Sequence, residues 1–296
     1  MMRKSSLQSI AAITALCVVA TCLSPGRALS RDDEDGDGEK PKAKPQFPTT
    51  YLDMRTTLTA LPPDTLSVGF GGTFPSLSSL PALSGVHSQH LTLDLPLTID
   101  LSDRLSIYGG VTALTTHTDI TPWSPLTLDT WNIGFQAEVI QQKGGSIPTV
   151  TVQSTLTRSI AQTLLATTSS TTIAEASYAF DKDETRGVLA GVRFIGVAVD
   201  SDVAKVNPSV TGYVGGYYQW DNNWKLTGRA GVQSFGGATI AGRTPLQPFT
   251  QPVLRIDLDR MDDNDNRLFG VTAEIDWTPK PAFQFVLRTP LYLVRN

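Results

Sequence analysis

The chain has 296 residues and a formal net charge of −4, and charged residues make up 18% of it against 40% hydrophobic residues. This weakly acidic balance excludes the polybasic surfaces that nucleic acids and anionic membrane anchors require, so no nucleic-acid partner is predicted. Both cysteines, Cys17 and Cys22, lie near the N-terminus, which excludes a disulfide framework from the rest of the chain.

Residues 1–28 are predicted to be a secretory signal peptide. Basic residues near the start precede an apolar run from Ile10 to Leu23, and small residues suit cleavage after Ala28. A lipoprotein site at Cys22 is the alternative, but the preceding Thr21 fits it poorly. Cleavage at this position would remove both cysteines and leave the mature chain without thiols.

Residues 29–49 form an acidic and then proline-rich stretch that has almost no apolar side chains to bury, so a disordered tail is predicted. The alternating acids from Asp33 to Glu39 superficially resemble a calcium loop. The twelfth position of such a loop is Lys44 where a calcium loop needs Glu. No metal site and no cofactor are therefore predicted.

From residue 50 onward, apolar and polar residues alternate with period two. Between Leu91 and Leu101, for example, leucines alternate with polar residues such as Asp94. Alternate side chains of a strand point to opposite faces, so each such segment has one apolar face. The predicted strands are 51–60, 65–71, 87–101, 104–116, 128–142, 147–159, 172–180, 186–199, 207–220, 224–235, 267–278 and 282–294.

Many of these segments are longer than the five or six residues typical of a soluble β-sandwich, and they suit the roughly nine to eleven residues of a tilted strand that crosses a bilayer. The predicted fold is all-β: an antiparallel transmembrane β-barrel of about twelve strands over residues 50–296, in the bacterial outer membrane and in contact with its lipid. A secreted soluble β-sandwich is the remote alternative.

Short and long connections alternate, as successive barrel hairpins require. The longest, 237–266, could fold over or into the mouth, and its stretch 253–261 could instead be a further strand. With the strands counted as above and both chain ends in the periplasm, the short connections would fall on the outer side, against the usual arrangement. Either the first or the last strand is miscounted, of which we favour the N-terminal one, or this barrel departs from the usual arrangement.

Aromatic residues flank two of the short turns. Trp220 and Trp224 flank one, and Trp277 and Phe283 flank another. Four aromatics at matching turn positions predict an interfacial girdle at one rim, where amphipathic rings lie at headgroup level. Ordinary hairpin packing is the alternative for any single ring.

If the apolar face of each strand contacts lipid, then the opposite face lines the lumen. Its predicted charged members are Asp94, Asp100, Glu138, Arg193, Lys225, Arg229, Glu274, Asp276 and Arg288. Such mixed charges either form a paired network that fills a narrow interior or select the solutes that pass. About twelve strands lie between the side-chain-filled and the water-filled barrels, so both alternatives stay open.

Catalytic residues are not predicted, and the protein is not expected to be an enzyme. His87 and Ser88 are the one pair that could indicate a Ser/His site, but neighbours on a strand point to opposite faces. No nucleotide or phosphate-loop motif is present either.

Two tracts carry a resemblance, 90–111 and 131–156. A strand that ends in the turn from Leu101 to Ser106, and a glycine-rich turn followed by Pro148, resemble the outer-membrane barrels of the phenol-degradation meta-pathway transporter-like family. The resemblance implies an outer-membrane channel for small hydrophobic or aromatic compounds, with no catalytic residues. It also implies the barrel-assembly machinery as a partner, although the last aromatic residue here is Tyr292 and not the final residue.

The predicted function is passive passage of a small-molecule solute through this barrel. The alternative is a non-conducting structural or surface-interaction barrel, plugged by its own charge network or by the connection 237–266.

Overall fold

A computed structural model describes residues 48–63, 70, 86–161, 165–262, 267–278 and 280–294. The predicted signal peptide and nearly all of the predicted acidic tail lie outside these residues. Within them, no helix is long and apolar enough to cross a membrane.

Twelve strands close into a single antiparallel barrel, in which the first strand, β1, pairs with the last, β15. The predicted barrel is confirmed, and the alternative of a β-sandwich is wrong. The barrel strands are β1 (Thr49–Leu61), β2 (Ser88–Ser102), β3 (Leu105–Thr118), β4 (Thr127–Ile140), β5 (Thr149–Ser159), β6 (Thr167–Ala179), β7 (Arg186–Val199), β9 (Ser209–Gln219), β10 (Trp224–Phe235), β13 (Phe249–Met261), β14 (Arg267–Thr278) and β15 (Lys280–Val294).

The period-two pattern sets which face of each strand points outward. On β13, Leu254 and Ile256 are exposed while Val253, Arg255 and Asp257 are buried. Exposed apolar side chains recur around the barrel, among them Leu97, Ile133, Leu156, Val192, Val214, Val232 and Phe285. A closed barrel with an apolar exterior has no unpaired strand edge and can contact lipid on all sides.

The structure differs from the predicted set of barrel strands at two segments. The predicted strand 65–71 lies outside the described residues apart from Phe70, and the barrel closes without it. The stretch 253–261 is instead part of β13, between β10 and β14. The total stays at twelve, but the strands between these two segments all change direction relative to the two rims.

This exchange removes the conflict in the predicted topology. The short-turn rim carries the connections 103–104, 141–148, 180–185, 220–223 and 262–266, together with both ends of the barrel sequence. The long-loop rim carries 62–87, 119–126, 160–166, 200–208 and 236–248, and also the short link at 279. Short turns and chain ends therefore share one rim, as expected for the periplasmic side.

A small sheet lies beside the long-loop rim. Strands β8 (Ala204–Val206), β11 (Ala238–Ile240) and β12 (Arg243–Leu246) pair in the order β12-β11-β8. The buried residues Ala204, Val206 and Ala238 pack with Ile195 and Phe235 of the barrel. The first part of the predicted long connection is thus a folded sheet at the mouth, and its second part is a barrel strand.

The turn between β6 and β7 shows how a short-turn connection is held. The hydroxyl of Thr185 donates to the carboxylate of Asp181, and the backbone N–H of Thr185 donates to the other oxygen at 2.8 Å. These hydrogen bonds hold the pKa of Asp181 below its usual value, with Arg186 contributing by charge.

Candidate functional site

The barrel interior is the candidate site, and one of its walls carries a network of charged side chains. Asp257 on β13 is at its centre. Arg229 donates to Asp257 at 2.9 Å, and Arg255 donates to both of its oxygens at 2.7 to 3.0 Å. The hydroxyl of Thr272 on β14 is the third donor residue, at 2.6 Å. An ionised carboxylate with this many donors is fully compensated although it is buried.

The network extends to β6 on one side and to β14 on the other. Arg229 also donates to Glu175 on β6 at 3.3 Å, and the Tyr213 hydroxyl donates to the same carboxylate oxygen at 2.9 Å. On the other side, Arg255 lies 3.7 Å from Glu274 on β14. Charges of opposite sign thus stay paired along the wall from β6 to β14, although β9 and β7 lie between β6 and β10.

The opposite wall, made by β1 to β5, is lined mainly by hydroxyl groups. Buried side chains there include Thr57, Thr59, Thr98, Thr112, Thr155 and Thr157. Tyr108 links to this row, because its hydroxyl lies 2.6 Å from that of Thr155 and accepts from Gln153 at 2.9 Å. The interior is therefore polar all round, with the paired charges concentrated on one side.

Phe70 lies inside the barrel against the charged wall. Its backbone N–H donates to Glu274 at 2.7 Å, and its ring meets the Tyr213 ring edge-on with centroids 5.1 Å apart. It is buried in one cluster with Leu189, Tyr213 and Val253. The chain between β1 and β2 thus enters the lumen at this point.

Three interior tyrosines lie directly across a strand pair from a glycine. Tyr108 faces Gly134, Tyr213 faces Gly191, and Tyr217 faces Gly187. A Cβ atom added to any of these three glycines would come within 2.7 Å of the facing tyrosine ring. Each ring thus occupies the space of a missing side chain and lies along the wall.

We expect Gly191→Ala to displace the Tyr213 ring toward the lumen, because the added Cβ would meet that ring at 2.5 Å. Overpacking of this kind costs about 1–3 kcal/mol of unfolding free energy. Urea unfolding of the refolded protein in detergent measures it. Gly212→Ala is the matched control, since a Cβ there meets nothing within 4 Å. Equal stability of the two variants would contradict this assignment.

The predicted charged residues occupy several levels of the barrel. Arg193, Glu274 and Asp276 are buried inside, and Arg229 joins the network at Asp257. Asp94 accepts from Thr112, and Asp100 accepts from Ser106 at 2.6 Å. Lys225 lies over the Tyr217 ring at 4.7 Å, and Arg288 faces Arg55. Glu138 lies near three charged residues of the short-turn rim, Asp103, Arg104 and Glu184, and among the described residues its Oε1 accepts no hydrogen bond.

The predicted aromatic girdle at one rim is wrong in its placement. Trp220 and Trp224 flank a turn of the short-turn rim, whereas Trp277 and Phe283 flank the link between β14 and β15 at the long-loop rim. Trp220, Trp277 and Phe283 are exposed, and Trp224 contacts Arg260 at 5.9 Å. The four rings are thus divided between the two ends of the barrel, because three barrel strands, β10, β13 and β14, separate the two turns, and β13 is not among the predicted strands.

Several interior groups were missed by the sequence reasoning. Arg255 and Asp257 lie in the stretch 253–261, for which the sequence allows either a strand or a loop. They alternate with leucine and isoleucine as in the other strands. Glu175 and Arg55 are not among the predicted charged residues of the lumen, although they lie on predicted strands of the same kind. Nothing in the local sequence indicates that Phe70 lies in the lumen.

Ser88, which the sequence places next to His87, has a different histidine as its hydrogen-bond neighbour in the structure. Ser88 lies 3.2 Å from His90, two residues along β2, and both are buried. His87 and His117 line a small cavity with Ser88 near the long-loop rim. No acidic partner for His90 is seen among the described residues.

No protein-family model matches the chain, and no curated protein matches it in sequence. Its fold is similar to that of an outer-membrane channel from Pseudomonas putida F1, with a TM-score of 0.57 and 12% identity over 87% of this chain and 100% of the channel. Weaker likenesses include the translocator domain of the autotransporter NalP from Neisseria meningitidis (TM-score 0.41, 12% identity, 95% of each chain) and the monoaromatic hydrocarbon channel CymD (TM-score 0.39, 9% identity, 85% and 89%).

The resemblance to the phenol-degradation meta-pathway family stays a prediction, because these structural likenesses establish the fold alone. The closed barrel of twelve strands, its apolar exterior and this shared fold identify the chain as a β-barrel protein of the bacterial outer membrane.

Proposed function

We propose that the protein is a passive channel for small solutes. The observation that carries this proposal is that part of the paired charge network on the interior wall is still accessible to water. Arg229 is 21% exposed and Glu175 is 25% exposed, although both point into a closed barrel. A barrel filled by its own side chains would bury such groups completely.

The proposed role of the nine predicted interior charges is to select solutes by charge, as charged linings do in other pores. The lumen also offers apolar contact surface where Phe70, Tyr213, Leu189 and Val253 cluster beside the ionic network. A site with an apolar patch next to fixed charges suits small amphipathic or aromatic solutes. Insertion by the barrel-assembly machinery stays a prediction.

The second candidate is a non-conducting barrel, and the position of Phe70 favours it. A ring held by a hydrogen bond to Glu274 and by the Tyr213 edge narrows the lumen at this level. The two candidates differ in one measurable property, which is ionic current through the inserted protein.

The test is single-channel conductance of the refolded protein in a planar bilayer, after heat-modifiable migration in detergent has shown that it is folded. We expect discrete steps whose size depends on salt concentration. The double variant Arg229→Ala with Arg288→Ala is expected to change the ion selectivity of these steps. A folded and inserted protein that carries no current would overturn the channel and support the plugged barrel.

A further inference from the structure

Two arginines face each other where the barrel closes. Arg55 on β1 is directly opposite Arg288 on β15, near the middle of both strands. Both belong to the interior set, since Thr57 and Thr59 on β1 and Ala282 on β15 are buried at the same parity. Like charges at directly opposed positions repel, so this pair destabilises the seam unless an anion lies between them.

The structure offers this pair little compensation. Among the described residues, Arg288 makes no hydrogen bond and no ion pair, and its buried Nε has no partner. Within the described part of the chain, Arg55 forms an ion pair only with Asp53, at 4.0 Å, and its own Nε is also buried without a partner. An arginine without a carboxylate keeps its fork of N–H donors free for a ligand.

The charges around the pair are also biased toward positive. Arg55, Arg255 and Arg267 lie within electrostatic range of Arg288, against the two carboxylates Asp257 and Asp94. Of these, Asp257 is already bound by Arg229 and Arg255.

The remaining acids nearby are engaged as well. Asp94, opposite Arg55 on β2, accepts from Thr112 and makes no ion pair within 4.0 Å among the described residues. Asp259 holds Arg267 at 2.7 Å. The positive charge of Arg55 and Arg288 is therefore only partly offset, by Asp53 at 4.0 Å from Arg55 and by Asp94 at more than 4.0 Å.

The pair is reachable from the lumen. The side chain of Arg55 is 34% exposed, and Arg288 is partly exposed, although both point into a closed barrel. Solvent therefore reaches part of each side chain, although both Nε atoms are buried.

We propose that Arg55 and Arg288 form a binding site for small carboxylates midway through the lumen. Planar guanidinium groups match the geometry of a carboxylate through paired N–H donors, and two of them can hold one anion from adjacent strands. This site rests on the proposed channel function, because a solute would reach it through the lumen. It makes the channel selective for organic anions.

The test compares benzoate with benzamide, which has the same shape and no charge. Saturation-transfer NMR of the refolded protein in zwitterionic detergent measures the binding of each probe without any current. We expect benzoate to bind saturably and benzamide not to bind. Arg55→Gln and Arg288→Gln should each weaken benzoate binding by about tenfold, which is the loss of one charge-assisted interaction.

Arg186→Gln is the matched control, because it removes one arginine that is ion-paired with Asp181 at the short-turn rim, outside the lumen. It should bind benzoate like the wild type. Equal binding of benzoate and benzamide by the wild type would overturn the site, and so would unchanged affinity in both lumen variants. If chloride or phosphate displaces benzoate at equal concentration, the site is a general anion site and the carboxylate assignment fails.

The outcomes separate the site from the channel. The wild type could conduct, bind no benzoate and have the same chloride-to-potassium permeability ratio as Arg288→Gln. The protein would then lack the carboxylate site but would still be a channel. A protein that binds benzoate but carries no current would overturn the channel, and a carboxylate would then reach Arg55 and Arg288 without crossing the membrane.

Discussion

Replacement of Asp257 by asparagine is expected to lower the free energy of unfolding by about 3–5 kcal/mol, the usual cost of breaking a buried ion-pair network on one side. Asp257 is buried and accepts from Arg229, Arg255 and Thr272. The neutral amide keeps the volume but removes the carboxylate that both guanidinium groups share, which leaves Arg229 with Glu175 and Arg255 with Glu274 at 3.7 Å. Urea unfolding of the refolded barrel in detergent, followed by tryptophan fluorescence, measures this loss.

Asp200→Asn is the control for this prediction. Asp200 also binds an arginine through two hydrogen bonds, to Arg158 at 2.6 and 2.7 Å, but both partners are partly exposed to solvent. Exposed ion pairs contribute about 0–1 kcal/mol. If Asp257→Asn cost no more than this control, the network in the lumen would not be a structural element of the wall.

Phe70→Ala is expected to increase the size of each conductance step, because the ring narrows the lumen beside Tyr213 and Glu274. The loss of stability should stay below the about 3–5 kcal/mol of a phenylalanine truncated in a protein core, since the barrel wall behind Phe70 remains fully hydrogen-bonded. Planar-bilayer recordings of the wild type and the variant under the same salt measure the change.

Phe285→Ala is the matched variant, because it removes the same ring from the outer surface, where Phe285 is 53% exposed. It should leave the conductance steps unchanged. A Phe70→Ala protein with steps of wild-type size would show that Phe70 does not limit the lumen.

The strands were predictable because lipid on one side and water on the other impose period two on the sequence. The same physics applies to Arg255 and Asp257, which alternate with Leu254 and Ile256. The sequence does not decide between strand and loop at these residues, because the connection around them is rich in proline, which favours a loop by local rules. The composition of the flanking residues therefore points to a loop, whereas the alternation of apolar and polar residues correctly indicates a strand.

The pairing of the interior charges was not predictable to the same degree. Period two indicates that Arg229 and Asp257 both point inward, but it does not fix how far each strand is shifted along its neighbour. The contact of Arg229 with Glu175 crosses from β10 to β6, and the position of Phe70 depends on a chain segment that joins two strands. Both depend on the closed structure.

The tyrosine rings that lie over glycines help to set the alignment of neighbouring strands, which the period-two pattern alone does not determine. A strand that slips by two residues keeps every apolar side chain toward lipid, so polarity alone cannot reject that error. The slip would place Tyr108 opposite Asn132 or Gln136, where a side chain already fills the space that Gly134 leaves empty. Tyr213 would likewise meet Leu189 or Arg193 in place of Gly191. These steric pairs make the native alignment of neighbouring strands the one that fits.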